Sequence, residues 1–106
     1  MNQMGTVLVT GASGFIGRSL VQRLLERRLT VHTLSRQALP PGPDEQACIG
    51  FVGDIRDAAV LGNACQGVDT VFHLAAYAHV NQHEQSTMRA INVDGTRALL
   101  DACLAA

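Results

Sequence analysis

Gly11, Gly14 and Gly17 recur at a spacing of three in the run Thr10-Gly11-Ala12-Ser13-Gly14-Phe15-Ile16-Gly17. The residues just before them, Gly5 to Thr10, are short, apolar and β-branched, the pattern of a strand buried on both faces. On the other side, Phe15 to Arg28 repeats Ile16, Leu20, Val21, Leu24 and Leu25 at helical spacing, with Arg18, Gln22 and Glu26 opposite. A glycine turn between a buried strand and an amphipathic helix has a definite chemistry. The unpaired N–H groups at the helix start, together with its dipole, favour a pyrophosphate. Gly11 permits the tight turn, Gly14 lets phosphates approach the backbone, and Gly17 lets the helix pack close to the strands. The competing reading is a glycine-rich turn with no ligand, and the strand-before, helix-after context favours nucleotide binding.

A second chemical position lies about 20 residues further on, at the end of the next strand, where a carboxylate would bind the ribose 2′-hydroxyl of NAD. Here the chain reads Leu34-Ser35-Arg36. Arg36 can pair bidentately with a 2′-phosphate and Ser35 can donate to it, which favours NADP(H) over NAD(H). A solvated loop arginine is the competing reading and leaves NAD open. His79 and His83 stand four apart beside Glu84, but no third ligand is evident, so no metal site is expected. His73 reads as a hydrogen-bonded core histidine on a buried strand.

Positioning these residues requires a particular order of elements. Thr30 to Leu34 reads as a second strand, Ala47 to Gly53 as a third and Val68 to Leu74 as a fourth. Asp57 to Cys65 reads as a short helix capped near Asp57. A last helix, from about Gln85 to Leu104, would place Met88, Ile91, Asn92, Gly95, Leu99 and Cys103 on one face. The three prolines, Pro40, Pro41 and Pro43, mark a surface loop. Alternating strands and helices imply an α/β fold: a partial doubly wound, Rossmann-type parallel sheet of about four strands with flanking helices.

Composition removes other classes of function. The 106 residues carry 8 basic and 9 acidic groups, net −1, and every basic residue is an arginine. That balance excludes an electrostatic nucleic-acid binder and a polybasic membrane-surface protein. No apolar run approaches the roughly 20 residues of a membrane span, and no signal peptide is visible. Cys48, Cys65 and Cys103 are expected to be buried reduced thiols, and the protein cytoplasmic.

With its G-x-x-G-x-x-G spacing, the loop resembles that of the extended short-chain dehydrogenase/reductase family, the sugar-nucleotide epimerases and dehydratases. Further matches are Gly53-Asp54-Ile55-Arg56-Asp57, similar to the family's adenine-binding turn, Val71-Phe72-His73-Leu74-Ala75-Ala76, similar to the end of its fourth strand, and Asn92-Val93-Asp94-Gly95-Thr96, similar to its fourth-helix motif. The resemblance implies a cofactor-binding set. Gly11, Ser13, Gly14, Phe15, Ile16 and Gly17 form the loop, with Ser35 and Arg36 at the ribose. Asp54 would accept from the adenine amino group beside Ile55, and its competing reading is an aspartate that only caps a helix. Leu74, Ala75 and Ala76 would form a backbone wall, and Tyr77 either continues it or is a packed aromatic. Asn92 either supports the cofactor side or is a buried structural asparagine.

The family's reaction uses a tyrosine as base and a lysine four residues later that lowers its pKa. Tyr77 is followed at that spacing by Asn81, and the chain has no lysine, so no catalytic residue is assigned. The resemblance extends along the whole chain but matches only about the first third of a full member. Residues 1–106 are therefore expected to form the N-terminal NAD(P)-binding Rossmann portion, with the catalytic and substrate-binding remainder absent and no turnover by this portion. The cofactor is expected to be NADP or NAD, with a nucleotide-sugar substrate only in a full-length form. A non-catalytic NAD(P)-sensing module and an inactive remnant are the alternatives. The unpaired edge of the fourth strand makes a homo-oligomer possible.

Overall fold

The computed structural model describes residues 5–39, 47–75, 86 and 89–105. Among them, four strands form one parallel sheet: β1 (Thr6–Thr10), β2 (Thr30–Ser35), β3 (Cys48–Val52) and β4 (Thr70–His73), in the order β3-β2-β1-β4. Helix α1 (Phe15–Glu26) joins β1 to β2, and α2 (Ala58–Ala64) joins β3 to β4. A π-helical turn (Ala90–Asp94) leads into α3 (Gly95–Ala105). The predicted α/β, doubly wound architecture is the one observed.

The alternation of side chains along β1 divides the core into two layers. Val7 and Val9 point to one face, where they meet Ala12, Leu24, Leu29 and Val31 under α1. Leu8 points to the other, where it meets Leu34, Ile55, Leu61, Ala64, Cys65, Ile91 and Leu99 under α2 and α3. Val7, Leu8 and Val9 are all fully buried, as a central strand covered by helices on both faces must be. Each such side chain contributes about 1.5–3 kcal/mol by leaving water. Thr10 follows the parity of Leu8, so its side chain points toward α3.

The edges depart from the sequence reading. β3 is largely exposed and β4 only half-buried, because among the described residues each has a neighbour on one side only. His73 accordingly lies on a half-buried strand rather than a buried one. Of the three cysteines only Cys65 is buried, whereas Cys48 on β3 and Cys103 in the last turns of α3 are half-buried. Burial, reinforced by the neighbouring Cys103 thiol, pushes the Cys65 thiol up to about 11.

Local capping explains where the helices start and stop. The Asp57 carboxylate accepts from the N–H groups of Ala59 (3.0 Å) and Val60 (3.4 Å), so α2 begins at the predicted cap. At the end of α1, Leu29 N–H donates to Leu24 C=O (3.2 Å) and Arg28 N–H to Leu25 C=O (2.9 Å). This is a Schellman closure, with the accompanying Leu24–Leu29 contact in the core. Its left-handed position is occupied by Arg28, at φ 62°, where glycine would be unstrained. Arg28→Gly is therefore expected to raise stability by about 0.5–1 kcal/mol, read as a higher urea midpoint at unchanged slope.

The last helix is not continuous. Ile91, Gly95 and Leu99 are buried and Cys103 half-buried, as the predicted face requires, but the π-turn widens the backbone over Ala90–Asp94 before α3 begins. A period of 3.6 residues assumes regular i→i−4 bonding and carries no signal for such a turn, a feature that clusters at functional sites. Met88 lies outside the described residues.

Candidate functional site

The strand order changes direction between β1 and β4: β2 and β3 extend the sheet to one side of β1, and β4 lies on the other. Open α/β sheets bind ligands outside the carboxyl ends of the strands at such a switch point. A cleft of about 210 Å³ opens there. All four strand ends line it: Gly11, Ser13 and Gly14 after β1, Leu34 to Arg36 at β2, Gly53 to Ile55 after β3, and Leu74 and Ala75 after β4, with Ile91 of the π-turn closing the floor.

The glycine loop is shaped by close backbone approach. Gly11 has φ 69°, and a Cβ there would stand 2.7 Å from the Leu74 carbonyl carbon and 2.8 Å from the Ala75 nitrogen. Loop and wall are therefore in direct backbone contact, which only glycine permits. A Cβ on Gly17 would collide with the Gly11 carbonyl oxygen and lie 2.9 Å from the Ala12 Cα. Gly17 thus allows α1 to pack on its own preceding loop, a more local contact than the helix-on-strand approach inferred from sequence. Gly14 is the N-cap of α1, and no side chain caps this helix. The N-cap of α1 thus lies in the cleft lining with no side chain bonded across the helix start, an arrangement that favours an anion.

Asp54 supplies the cleft's carboxylate, and its partner is local. Arg56 donates from Nε to Oδ1 (3.0 Å) and from Nη2 to Oδ2 (2.8 Å), and its backbone N–H adds a bond to Oδ1 (2.9 Å). The guanidinium hydrogen bonds hold the Asp54 carboxyl at about 2, against the opposing effect of partial burial and with help from the charges of Arg56 and Arg36. Asp54 is therefore an ionised acceptor at neutral pH. The cap of α2 is Asp57, so the helix-cap reading of Asp54 falls.

Ser35 differs from its sequence expectation. Its side chain is buried, and its hydroxyl donates to the Gln37 carbonyl oxygen at 2.6 Å. The single hydroxyl proton is thus committed within the turn, and Ser35 offers an approaching group only acceptor capacity. Donation at this end of the cleft falls to Arg36, which is exposed at its rim.

Of the residues singled out from sequence, Gly11, Ser13, Gly14, Ser35, Arg36, Asp54, Ile55, Leu74 and Ala75 line the cleft together. Phe15 and Ile16 do not: they open α1 with side chains 90% and 69% exposed. Gly17 is buried beneath the loop, and half-buried Asn92 lies beside the lining residue Ile91. Ala76 and Tyr77 lie outside the described residues, as do His79, His83 and Glu84. Sequence reasoning missed Leu34, Gly53 and Ile91. Gly53 stood inside a quoted motif, whereas Ile91 reaches the cleft only through the π-turn.

A phosphate-type glycine loop, an uncapped helix start and a cleft at the switch point of a parallel sheet define a Rossmann-type nucleotide-binding unit. Residues 8–106 match the 3-beta hydroxysteroid dehydrogenase/isomerase family, and the chain belongs to it, within the extended short-chain dehydrogenases/reductases. A 3 beta-hydroxysteroid dehydrogenase/Delta 5-->4-isomerase of Mycobacterium tuberculosis is 40% identical over 94% of this chain and 28% of its own length. A short-chain dehydrogenase/reductase superfamily protein of Agrobacterium tumefaciens, solved with bound NAD, superposes with a TM-score of 0.81 at 35% identity, covering 94% of this chain and 29% of that one. MoeE5, solved with UDP-glucose and NAD, gives 0.80 at 36% identity, covering 95% and 33%. The chain thus spans about a third or less of the length of these relatives. Among the described residues, no helix is long and apolar enough to cross a membrane.

Proposed function

We propose that this chain is the dinucleotide-binding portion of an NAD(P)-dependent enzyme of the dehydrogenase/epimerase type. The observation that carries the reading is the cleft: the glycine loop and uncapped α1 start face the ends of β2, β3 and β4 across one opening. In this reading the α1 start and the Gly11–Gly14 backbone hold the pyrophosphate, and ionised Asp54 accepts from the adenine amino group. Leu74 and Ala75 form the wall along the cofactor. The bound nicotinamide would supply hydride acceptance or donation. At about 210 Å³ the cleft is smaller than the roughly 300 Å³ at which small-molecule sites begin. It therefore suits one part of a dinucleotide.

The reading favours NADP(H), on the observation that β2 ends in Arg36 and that Asp54 is the one acidic side chain lining the cleft among the described residues. The two solved relatives carry NAD, so this preference rests on Arg36. Hydride transfer on a substrate hydroxyl belongs to the whole enzyme, since the chain has no lysine for a tyrosine–lysine pair. A sugar nucleotide is supported by the UDP-glucose complex of MoeE5 and a 3 beta-hydroxysteroid by the mycobacterial relative. Calorimetric titration of the purified chain with NADP+ and NAD+ tests the proposal. Saturable binding of either is the expected result, and no heat at millimolar nucleotide would contradict it.

A further inference from the structure

The His73 ring links three elements around the cleft, and the hydrogen bonds determine which of its nitrogens carries the proton. Thr10 Oγ1 lies 2.7 Å from His73 Nδ1, and it also accepts from the N–H groups of Leu74 (3.0 Å) and Ala75 (3.1 Å). A hydroxyl has two acceptor sites and one proton. Both acceptor sites are taken by backbone donors, so the Thr10 proton goes to Nδ1 and Nδ1 is unprotonated. On the other side of the ring, Nε2 lies 3.0 Å from Thr96 Oγ1, whose own proton is donated to the Asn92 carbonyl oxygen at 2.7 Å. Nε2 therefore carries the hydrogen and donates it to Thr96. Every bond runs one way: Thr10 O–H to Nδ1, Nε2–H to Thr96, Thr96 O–H to the π-turn.

This arrangement stands directly under the cleft. Thr10 immediately precedes the glycine loop, Leu74 and Ala75 are its wall, and Gly11 rests against their backbone. We propose that His73 is a positioning residue of the nucleotide cleft, a neutral Nε2–H imidazole that holds the Leu74–Ala75 wall through Thr10 and ties it to the π-turn through Thr96, so that protonating the ring weakens dinucleotide binding. A protonated ring would present a donor at Nδ1 to a hydroxyl that already faces two donors. One of the three must let go. Leu74 N–H has a second acceptor in the Thr10 carbonyl (3.2 Å), so its bond to the Thr10 hydroxyl is the one most easily given up, and the start of the wall shifts with it.

The surroundings favour the neutral ring. Burial depresses the His73 pKa, with no charged group among the described residues contributing. β1 and the rest of β4 carry no titratable side chain on this ring, and neither does the glycine loop. From the π-turn and α3, Asp94 and Arg97 flank Thr96 and are both exposed. Asp54, across the cleft, titrates near 2 and stays ionised throughout the relevant range. Because the ring's value in the folded chain lies below the ordinary 6.5, the fold is at full strength above 6.5 and loses stability as pH falls toward the depressed value. The cleft weakens as pH falls through that depressed value, where the folded ring takes up its proton.

The proposal rests on the dinucleotide reading, and its test separates the two. Ring-selective 15N–1H correlation spectra of the whole chain give the tautomer and pKa of His73. In the same buffers, calorimetry gives the affinity for NAD+, which lacks a titrating 2′-phosphate. The expected result is an Nε2–H ring at pH 8 and affinity that falls by up to about tenfold per pH unit below the ring's pKa. His73→Phe should bind more weakly at every pH with no acid limb. His73→Asn, which restores an acceptor toward Thr10, should recover part of the affinity and stay flat. An Nδ1–H ring, pH-independent affinity while the ring titrates, or an acid limb that survives in both variants would overturn the proposal. The parent chain's spectra and profile decide it even if neither variant folds. No NAD+ binding at any pH would remove the dinucleotide reading and this proposal together, whereas flat binding removes the proposal only.

Discussion

Gly17→Ala is expected to cost the chain on the order of 3 kcal/mol, lowering its melting temperature by roughly 15 °C, whereas Gly14→Ala should leave the fold almost intact and damage binding instead. The difference lies in what each new methyl meets. At Gly17 it runs into the Gly11 carbonyl oxygen and the Ala12 Cα, backbone atoms that cannot rotate away. Relief requires α1 to lift from the loop, uncovering the layer of Val7, Val9, Leu24 and Leu29. At Gly14 the nearest atom to the added methyl is the Gly11 carbonyl oxygen at 3.5 Å, an ordinary contact. The fold should lose no more than about 1 kcal/mol there, the usual cost of alanine at an N-cap. Gly14 lines the cleft, however, so a methyl there would occupy the space through which a phosphate approaches. Affinity should drop tenfold or more, about 1.4 kcal/mol. Thermal melts and nucleotide titrations of the two variants check this directly. Equal stability of the two, or unchanged affinity in Gly14→Ala, would contradict the role assigned to the loop.

Arg36→Ala is expected to weaken NADP+ binding by about tenfold to a hundredfold and to leave NAD+ binding within a few-fold of its starting value. A charge-assisted, bidentate pair with a 2′-phosphate is worth about 1.5–3 kcal/mol, and NAD has no such phosphate to lose. The Ser35 hydroxyl cannot compensate, because its proton is held by the Gln37 carbonyl. Nor should Asp54 respond strongly, since Arg56 remains its principal partner when the weaker field of Arg36 is removed. Dissociation constants for both nucleotides, measured at one salt concentration, supply the check. Equal loss for the two would mean that Arg36 acts on a group common to both, and tighter NAD+ binding by the parent chain would sink the NADP(H) preference.

The parts of the fold legible in sequence were those governed by local pattern. Val7–Val9 announced a central strand, the glycines announced the turn, and Asp57 announced the start of α2. The parts that were not legible depend on partners distant in sequence or on irregular backbone. Thr10 and His73 stand 63 residues apart, so nothing in either neighbourhood signals that one hydroxyl sets the other's tautomer. The π-turn that brings Ile91 into the cleft is invisible to a helical period. The half-burial of β4 and Cys103 reflects edge position, which strand order decides and residue type does not. Arg56 is the instructive case. It lay in a quoted motif two residues from Asp54, yet the pairing appeared only once the turn geometry placed its guanidinium on both carboxylate oxygens.

Whether one cleft, built from the four strand ends, holds a dinucleotide can be read from backbone amide spectra of the 15N-labelled chain during titration with NADP+. Saturable shifts should concentrate at Gly11, Ser13, Gly14, Arg36, Asp54, Ile55, Leu74 and Ala75, with α2 and the end of α3 unmoved. Shifts centred on α2 and α3, or a spectrum unchanged at millimolar nucleotide, would show that the cleft does not bind it.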